Sequence, residues 1–317
     1  MKAAQVTELI GPDGVRVVDV PEPAADGGSL LIDVRAAGIS FPDLLLSRGE
    51  YQLKPDPPFT PGVEVAGLVR SAPDGSPLAA GDRVMAFVFG AFAEVAVGQP
   101  HMTWRLPEDM TFAQGAALPM NYHTAHFALV RRAALREGET LLVQGAAGGV
   151  GTAAIQVGKA LGAHVVGVVS TEEKEMVARE AGAHEVVRAD AEWPEADVVF
   201  DPVGGERLGQ SLRRLKAEGR LVVIGFTEGQ IPSVKVNRLL FRNVSVVGAA
   251  WGEFALRRPE YVAEVATALE RMASDGHVDP IVGRSYGFDQ VPQALRDLDE
   301  RRAIGKLVLD LDKEPSA

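Results

Sequence analysis

The sequence predicts an α/β protein of two domains, one built on antiparallel strands and the other on a parallel sheet flanked by helices. Three observations predict it: the length of the chain, a change of hydrophobic rhythm near residue 120, and a glycine-rich turn joining a strand to a helix after Leu141. At 317 residues the chain exceeds the size at which a single core usually stops growing, so two domains are the expectation. With 46% hydrophobic and 24% charged residues, the composition is that of an ordinary globular protein.

From the N-terminus to about Trp104 the apolar runs are short and punctuated by Gly and Pro: Val15 to Val20, Leu30 to Val34, Val63 to Val69, Arg83 to Val88 and Phe92 to Val97. That spacing reads as antiparallel strands. A helical stretch, Pro42 to Ser47, interrupts them, with Ser40 in position to cap it. From about Met120 strands alternate with longer helical patterns: Thr140 to Gln144, Gly149 to Leu161, His164 to Val169, Glu172 to Ala181, then strands at Asp197 to Phe200, Arg220 to Ile224 and Val244 to Val247. Alternation of this kind predicts βαβ units and a doubly wound parallel sheet.

After Trp251 there remain a helix from Tyr261 to Ser274, a short strand near Tyr286, a helix from Val291 to Arg301 and a strand from Lys306 to Leu311. These are too few for a third domain and are expected to complete the first. The predicted boundaries are 1–118 for the β domain, 119–254 for the parallel domain and 255–317 for the return. Asp312 to Ala317 reads as a frayed tail.

Charge and composition narrow the function. Against 43 acidic residues stand 32 Lys and Arg, a net charge of −11, so a polyanion would meet a repulsive average field and nucleic acid is not the expected partner. The chain has no cysteine, which excludes disulfides, thiolate nucleophiles, iron–sulfur clusters and sulfur-ligated zinc. No stretch approaches the ~18 uninterrupted apolar residues of a membrane helix, and no signal sequence opens the chain. The expectation is a cytoplasmic protein that does not enter a membrane.

The strongest local signal runs Leu141-Leu142-Val143-Gln144-Gly145-Ala146-Ala147-Gly148-Gly149-Val150-Gly151. A buried strand feeds a turn of small residues that opens a helix, and such a turn lets backbone N–H groups approach a pyrophosphate at the positive end of the helix dipole. Gly151 is expected to let the helix pack closely on the strand. The second strand ends at Val169-Ser170, near the ~20 residues downstream where a dinucleotide fold places its ribose-binding residue. Asp or Glu there would bind the 2′-hydroxyl of NAD. This chain has Ser170 and Thr171, while Lys174 one helical turn on and Arg188 after the next short strand are cations for a 2′-phosphate. NADPH is therefore favoured. The rival reading makes Lys174 and Arg188 solvated surface charges, with Glu172 or Glu173 in the NAD role if the strand ends later.

At this point the residues resemble a known family, the medium-chain dehydrogenase/reductases, and within it the zinc-free quinone oxidoreductase or zeta-crystallin branch. The resemblance covers essentially the whole chain. It is carried by Ala146 to Gly151, Ala37 to Asp43, Pro61 to Gly67, Gly81 to Val84, Asp201 to Gly205 and Gly305 to Leu309. It implies a GroES-like β domain packed against a Rossmann domain, with the active site in the cleft that separates them.

The resemblance also assigns roles. In zinc-dependent relatives a Cys, a His and a further Cys hold the catalytic metal; the matching positions here are Ser40, Val63 and Met120, so no metal is expected. Asp43 and Glu64 stand as remnants of that metal shell. Ala147, Gly148, Gly149 and Val150 line the phosphate turn, and Thr124, Val150, Val203, Gly225, Phe226 and Lys306 lie along the nicotinamide half. Ser40, Phe41 and Tyr51 face the substrate, with Ser40 a donor to its oxygen. Tyr51 matches a tyrosine that enoyl-thioester reductases use as a proton donor; an aromatic lid is the equal alternative. Trp251 either lines the pocket or fills core. His123 and His126, three apart, read as ordinary hydrogen-bonded helix residues rather than metal ligands.

Hydride reduction of an isolated ketone puts charge on one oxygen, which zinc relatives stabilise with their Lewis acid. A quinone or enone spreads the incoming pair by conjugation. The expected activity is therefore NADPH:quinone oxidoreduction on a small molecule. The rivals are a 2-enoyl thioester or enone reductase, and a crystallin-like NADPH-binding protein with little turnover. The segment Asn243 to Ala250 resembles the edge strand through which relatives pair, so a homodimer is expected.

Overall fold

The computed structural model describes residues 1–311; the tail read as frayed lies outside the described residues. In chain order the strands are β1 Lys2–Val6, β2 Val15–Asp19, β3 Leu30–Ile39, β4 Glu64–Ser71, β5 Arg83–Phe87, β6 Val95–Gly98, β7 Thr103–Arg105, β8 Thr140–Gln144, β9 His164–Val169, β10 Glu185–Arg188, β11 Ala196–Asp201, β12 Leu215–Val223, β13 Ser245–Gly248, β14 Val282–Tyr286 and β15 Lys306–Asp310. The α-helices are α1 Phe41–Ser47, α2 Phe112–Ala117, α3 Pro119–His126, α4 Gly149–Ala160, α5 Glu172–Glu180, α6 Leu208–Arg214, α7 Asn237–Arg242, α8 Trp251–Ala255, α9 Pro259–Ser274 and α10 Val291–Asp299. The chain forms two compact units, Met1–Met120 with Pro280–Ala317, and Asn121–Asp279.

In the first unit the main sheet runs β14-β15-β3-β4-β5-β7, with β6 also paired to β3, and β1-β2 forms a separate ribbon. The C-terminal strand closes this sheet: β15 pairs antiparallel with β3, Leu309 opposite Ala37. Strand β3 alternates buried and half-buried residues as far as Arg35 and is buried throughout from Ala36 to Ile39. The change has a local cause. Small residues Ala36, Ala66 and Ala116 pack with Leu106 and Val308, which lets α2 lie flat on the second face of the sheet and cover what would otherwise alternate. The opposite face holds the main core, including Leu30, Ile32, Ile39, Leu44, Phe92, Leu295 and Leu309.

In the second unit six parallel strands take the order β10-β9-β8-β11-β12-β13. Numbered within the unit this is 3-2-1-4-5-6, the order of a doubly wound dinucleotide-binding sheet, whose ligands lie outside the carboxyl ends of its strands at the switch point. Here that point falls where β8 meets β11. The strands there, Leu141 to Gln144 and Val198 to Asp201, are fully buried, as expected of a parallel sheet covered on both faces. Gly158 lets α4 sit on β8, since a Cβ there would fall 2.4 Å from Leu141 Cδ2.

The return to the first unit starts later than the sequence suggested. Residues 255–279, read as its beginning, belong to the second unit, because α9 buries Tyr261, Val262, Val265 and Leu269 and Tyr261 meets Phe127 and Phe254 ring to ring. An amphipathic helix carries no label for the domain that receives its apolar face. Trp251 joins the same aromatic cluster, 3% exposed, against Phe127 and His123.

Helix α3 runs on into a wider π-helical stretch, Phe127–Arg132. His126, at the junction, is 8% exposed, and its Nδ1 finds no hydrogen-bond partner among the described residues. The ordinary hydrogen bonding expected of it is therefore incomplete. Burial pushes the imidazole down to about pKa 4. An unfolded His binds a proton near pH 6.5, so between about pH 6.5 and 4 the unfolded chain holds the extra proton and stability drops as the pH is lowered. Urea midpoints at pH 7 and pH 5 should show wild type losing about 2 kcal/mol more than His126→Leu over that interval; equal losses would contradict the burial account.

Candidate active site

The polar centre of the first unit sits where three neighbouring strands begin or end. Ser40 follows the last residue of β3, Glu64 opens β4 and Lys306 opens β15. Their side chains meet inside the β domain. Lys306 Nζ donates to Ser40 Oγ at 2.6 Å and also to Glu64 Oε1; Ser40 Oγ lies 3.1 Å from the same carboxylate oxygen as donor. Glu64 Oε2 accepts the Met120 N–H at 2.7 Å. Glu64 is 0% exposed, Lys306 3% and Ser40 7%, so the ion pair is sealed and the hydroxyl is its outermost member. Gly38 makes the room: a Cβ there would fall 2.5 Å from Ala116 O and 2.6 Å from Glu64 Oε1.

Ser40 holds the N-cap position of α1 in extended backbone, but its hydroxyl makes no cap bond. Ser40 keeps the N-cap position expected of it, its N–H closing a capping box with Asp43, while its hydroxyl is turned to Lys306 and Glu64. Asp43 faces back instead, accepting the Ser40 N–H at 2.8 Å and the Gly62 N–H at 3.1 Å. It is fully buried, and desolvation pushes its carboxyl up to about pKa 7 against the pull of the Ser40 N–H and the Lys306 charge. Gly62 adopts φ 95°, and a Cβ there would fall 2.6 Å from Phe92 Cδ1, so only glycine presents this N–H to Asp43. Phe41 and Tyr51 are both half-buried, Phe41 packing on the main core.

In the second unit the glycine turn lies at the switch point. Gly145 turns the chain at φ 59°, and Gly151 lets the first turn of α4 fold over it, since a Cβ on Gly151 would fall 2.2 Å from Gly145 O. Close packing of helix on strand, expected of Gly151, belongs to Gly158. Gly148, Gly149 and Val150 are half-exposed, and first-turn N–H groups have no acceptor within a helix. A backbone cradle open to solvent at a helix N-terminus fits a pyrophosphate. At Gly225 a Cβ would meet nothing nearer than Pro202 O at 3.6 Å, so Gly225 stands by the turn that follows β11.

The opposite wall was only half visible in the sequence. Asp201 Oδ1 accepts the N–H groups of Val203 and Gly204, both at 2.9 Å, folding Asp201 to Gly205 into a tight turn. A Cβ on Gly145 would lie 3.4 Å from Val203 Cγ2, so this turn borders the glycine turn. Asp followed by Pro-Val-Gly-Gly is the signal on which Asp201 entered the resemblance, and the structure adds the turn its carboxylate folds. Thr124 is buried in α3, and Phe226 is half-buried beyond β12.

At the position where the sequence predicts the ribose, β9 stops at Val169. Thr171 caps α5 by accepting the Lys174 N–H at 3.3 Å, which leaves Glu172 and Glu173 exposed in the first turn and Ser170 at the strand end. Arg188 Nη2 donates to Ser170 O, so a guanidinium stands beside the residue that would otherwise be acidic. Trp251 takes the core alternative, in the aromatic cluster described above, and the Lys306 ammonium meets Ser40 and Glu64. Among the described residues no cluster of three or more His, Asp or Glu is placed to hold a metal ion, and no helix is long and apolar enough to cross a membrane.

Comparison with known proteins agrees with this architecture. Residues 26–118 match the alcohol dehydrogenase GroES-like domain and residues 149–274 the zinc-binding dehydrogenase domain. The chain is 35% identical over 325 aligned residues to quinone oxidoreductase-like protein 2 of Bos taurus, covering 98% of this chain and 92% of that one. The chain belongs to the quinone oxidoreductase-like family of the medium-chain dehydrogenases/reductases. Among solved structures similar to this quinone oxidoreductase-like chain, a probable oxidoreductase from Mycobacterium abscessus is 42% identical with a TM-score of 0.89, covering 98% of this chain and 99% of that one. The quinone oxidoreductase from Thermus thermophilus, solved also as its complex with NADPH, is 35% identical with a TM-score of 0.84, covering 98% and 100%. One matching domain model is named for zinc binding; the positions that the sequence resemblance sets against the metal ligands of zinc-dependent relatives are Ser40, Val63 and Met120 here.

Proposed function

We propose that the protein is an NADPH-dependent reductase that passes hydride to a conjugated carbonyl acceptor, a quinone above all. The observation that carries this reading is the donor set around Ser40: a hydroxyl backed by a buried ammonium and carboxylate, with neither sulfur nor imidazole at Val63 and no thiolate at Met120 to ligate zinc. Such a set hydrogen-bonds an acceptor oxygen, and an acceptor that spreads charge by conjugation needs little more than that and correct positioning. The naming of the relatives and the NADPH complex of the Thermus thermophilus enzyme support the same reading.

NADPH supplies the hydride when bound. The N–H groups of Ala147, Gly148, Gly149 and Val150 receive its pyrophosphate, Thr124, Val203, Gly225 and Phe226 border the nicotinamide half, and Ser170, Lys174 and Arg188 take the 2′-phosphate. Ser40 donates to the acceptor oxygen, with Phe41 and Tyr51 beside it. A cytoplasmic location goes with this reading.

Following NADPH oxidation at saturating cofactor should show quinones and enones turning over at least ~100-fold faster than a saturated aliphatic ketone, given the oxyanion stabilisation a metal would otherwise supply. Equal rates would contradict the reading, and a decisive preference for an enoyl thioester, lost in Tyr51→Phe, would move it to the enoyl reductases. Removing either cation, by Lys174→Ala or Arg188→Ala, should raise KM for NADPH about 10-fold with KM for NADH unchanged, the worth of a charge-assisted hydrogen bond.

The partner surface is the free end of the six-stranded sheet. Among the described residues strand β13 pairs with β12 alone and exposes Val246, while Val236, Leu240 and Phe241 nearby in sequence are 71–78% exposed. An apolar edge strand left uncovered invites pairing, and a second copy of this chain is the occupant proposed. Light scattering should find a dimer that Phe241→Asp weakens; a monomer at micromolar concentration in wild type would refute the pairing.

A further inference from the structure

We infer that Lys306 does for this protein what a metal ion does for its zinc-dependent relatives: held by Glu64, its ammonium polarises the Ser40 hydroxyl, which carries that polarity to the oxygen of the acceptor. The inference rests on the reading of Ser40 as the donor to that oxygen and goes beyond it by naming the source of its donor strength.

A buried ion pair is an expensive device for holding a β domain together, because desolvating both charges offsets most of their attraction. Packed apolar residues at the start of β4 and β15 would serve stability as well. Yet the geometry is fully committed: Lys306 Nζ meets both Ser40 Oγ and Glu64 Oε1, Glu64 Oε2 is fixed by the Met120 N–H, and Gly38 is denied a side chain that would displace the carboxylate. Held on both oxygens, Glu64 fixes the ammonium beneath Ser40.

The chemistry follows from the donor inventory. Ser40 has one proton and two lone pairs. One lone pair takes the charge-assisted bond from Lys306, and the proton points at Glu64 Oε1 across 3.1 Å, a longer contact than the 2.6 Å that Lys306 makes. An acceptor oxygen arriving at Ser40 competes with a carboxylate already satisfied by Lys306, so the hydroxyl swings outward while Lys306 stays bound to its lone pair. A hydroxyl that accepts from a cation is a stronger donor. No bond is made or broken in this step and no proton leaves Lys306. Ser40 is then the catalytic residue, and Lys306 and Glu64 are positioning residues that act through it.

The test measures NADPH oxidation with two acceptors, electron-poor 1,4-benzoquinone and electron-rich tetramethyl-1,4-benzoquinone, for wild type, Ser40→Ala, the paired substitution Lys306→Met with Glu64→Gln, and all three together. NADPH dissociation constants come from nucleotide fluorescence. Wild-type turnover is read first, since its absence with both quinones would refute the proposed function rather than this inference. With turnover present, Ser40→Ala and the paired substitution should each lower kcat about 100-fold on the electron-rich quinone and less on the electron-poor one. The triple variant should fall no more than about twofold further, with NADPH affinity within twofold of wild type throughout. Losses that multiply in the triple variant, or an effect of Lys306 confined to NADPH affinity, would overturn the inference. If the paired variant does not fold, Lys306→Arg replaces it: charge and pair are kept, so kcat should stay within about fivefold. A loss beyond ~50-fold with unchanged melting temperature would overturn it.

Discussion

The buried pair of Lys306 and Glu64 is the constraint around which the β domain is arranged. It joins the first residue of β15 to the first residue of β4 across the end of β3, so the C-terminal strand must return to its place for either charge to be satisfied. Breaking such a pair from one side leaves an uncompensated charge in an apolar interior, which costs about 3–5 kcal/mol. The glycine at position 38 and the N–H of Met120 are set by the space and charge of this pair, while the carboxyl of Asp43 answers first to its own burial.

The second unit answers a different requirement, that of bringing backbone donors to one point. Its strand order puts the ends of β8 and β11 side by side, and the glycine turn lies beside the Asp201 turn there, a Cβ on Gly145 falling 3.4 Å from Val203 Cγ2. At the end of β9 the Arg188 guanidinium stands beside Ser170. In a protein of net charge −11, an anionic cofactor under the proposed function depends on such local donors rather than on the average field.

Much of this was legible in the sequence because it is written locally. The strand-turn-helix from Leu141 to Gly151, the end of β9 at Val169 and the absence of acid at Ser170 involve neighbours along the chain, and periodicity and turn chemistry report on such neighbours. What escaped depends on distant partners. Lys306 lies 242 residues from Glu64 and 266 from Ser40, so nothing in the local pattern announced that the three side chains meet. Trp251 and α9 gave apolar faces without saying which unit would bury them, and the domain boundary moved from residue 254 to Asp279 for that reason. Asp201 to Gly205 was legible as a motif, but that its turn lies against the glycine turn shows only once Val203 is seen beside Gly145.

The central claim is that a buried ammonium, relayed by a serine hydroxyl, stands in for a Lewis acid. The most direct measurement is the infrared carbonyl stretch of a quinone bound with a non-reducing NADP⁺ complex. The account predicts that the stretch of the bound quinone is shifted to lower frequency in wild type and returns toward its value in apolar solvent in Ser40→Ala. An identical frequency in the two proteins, with the quinone bound in both, would contradict it.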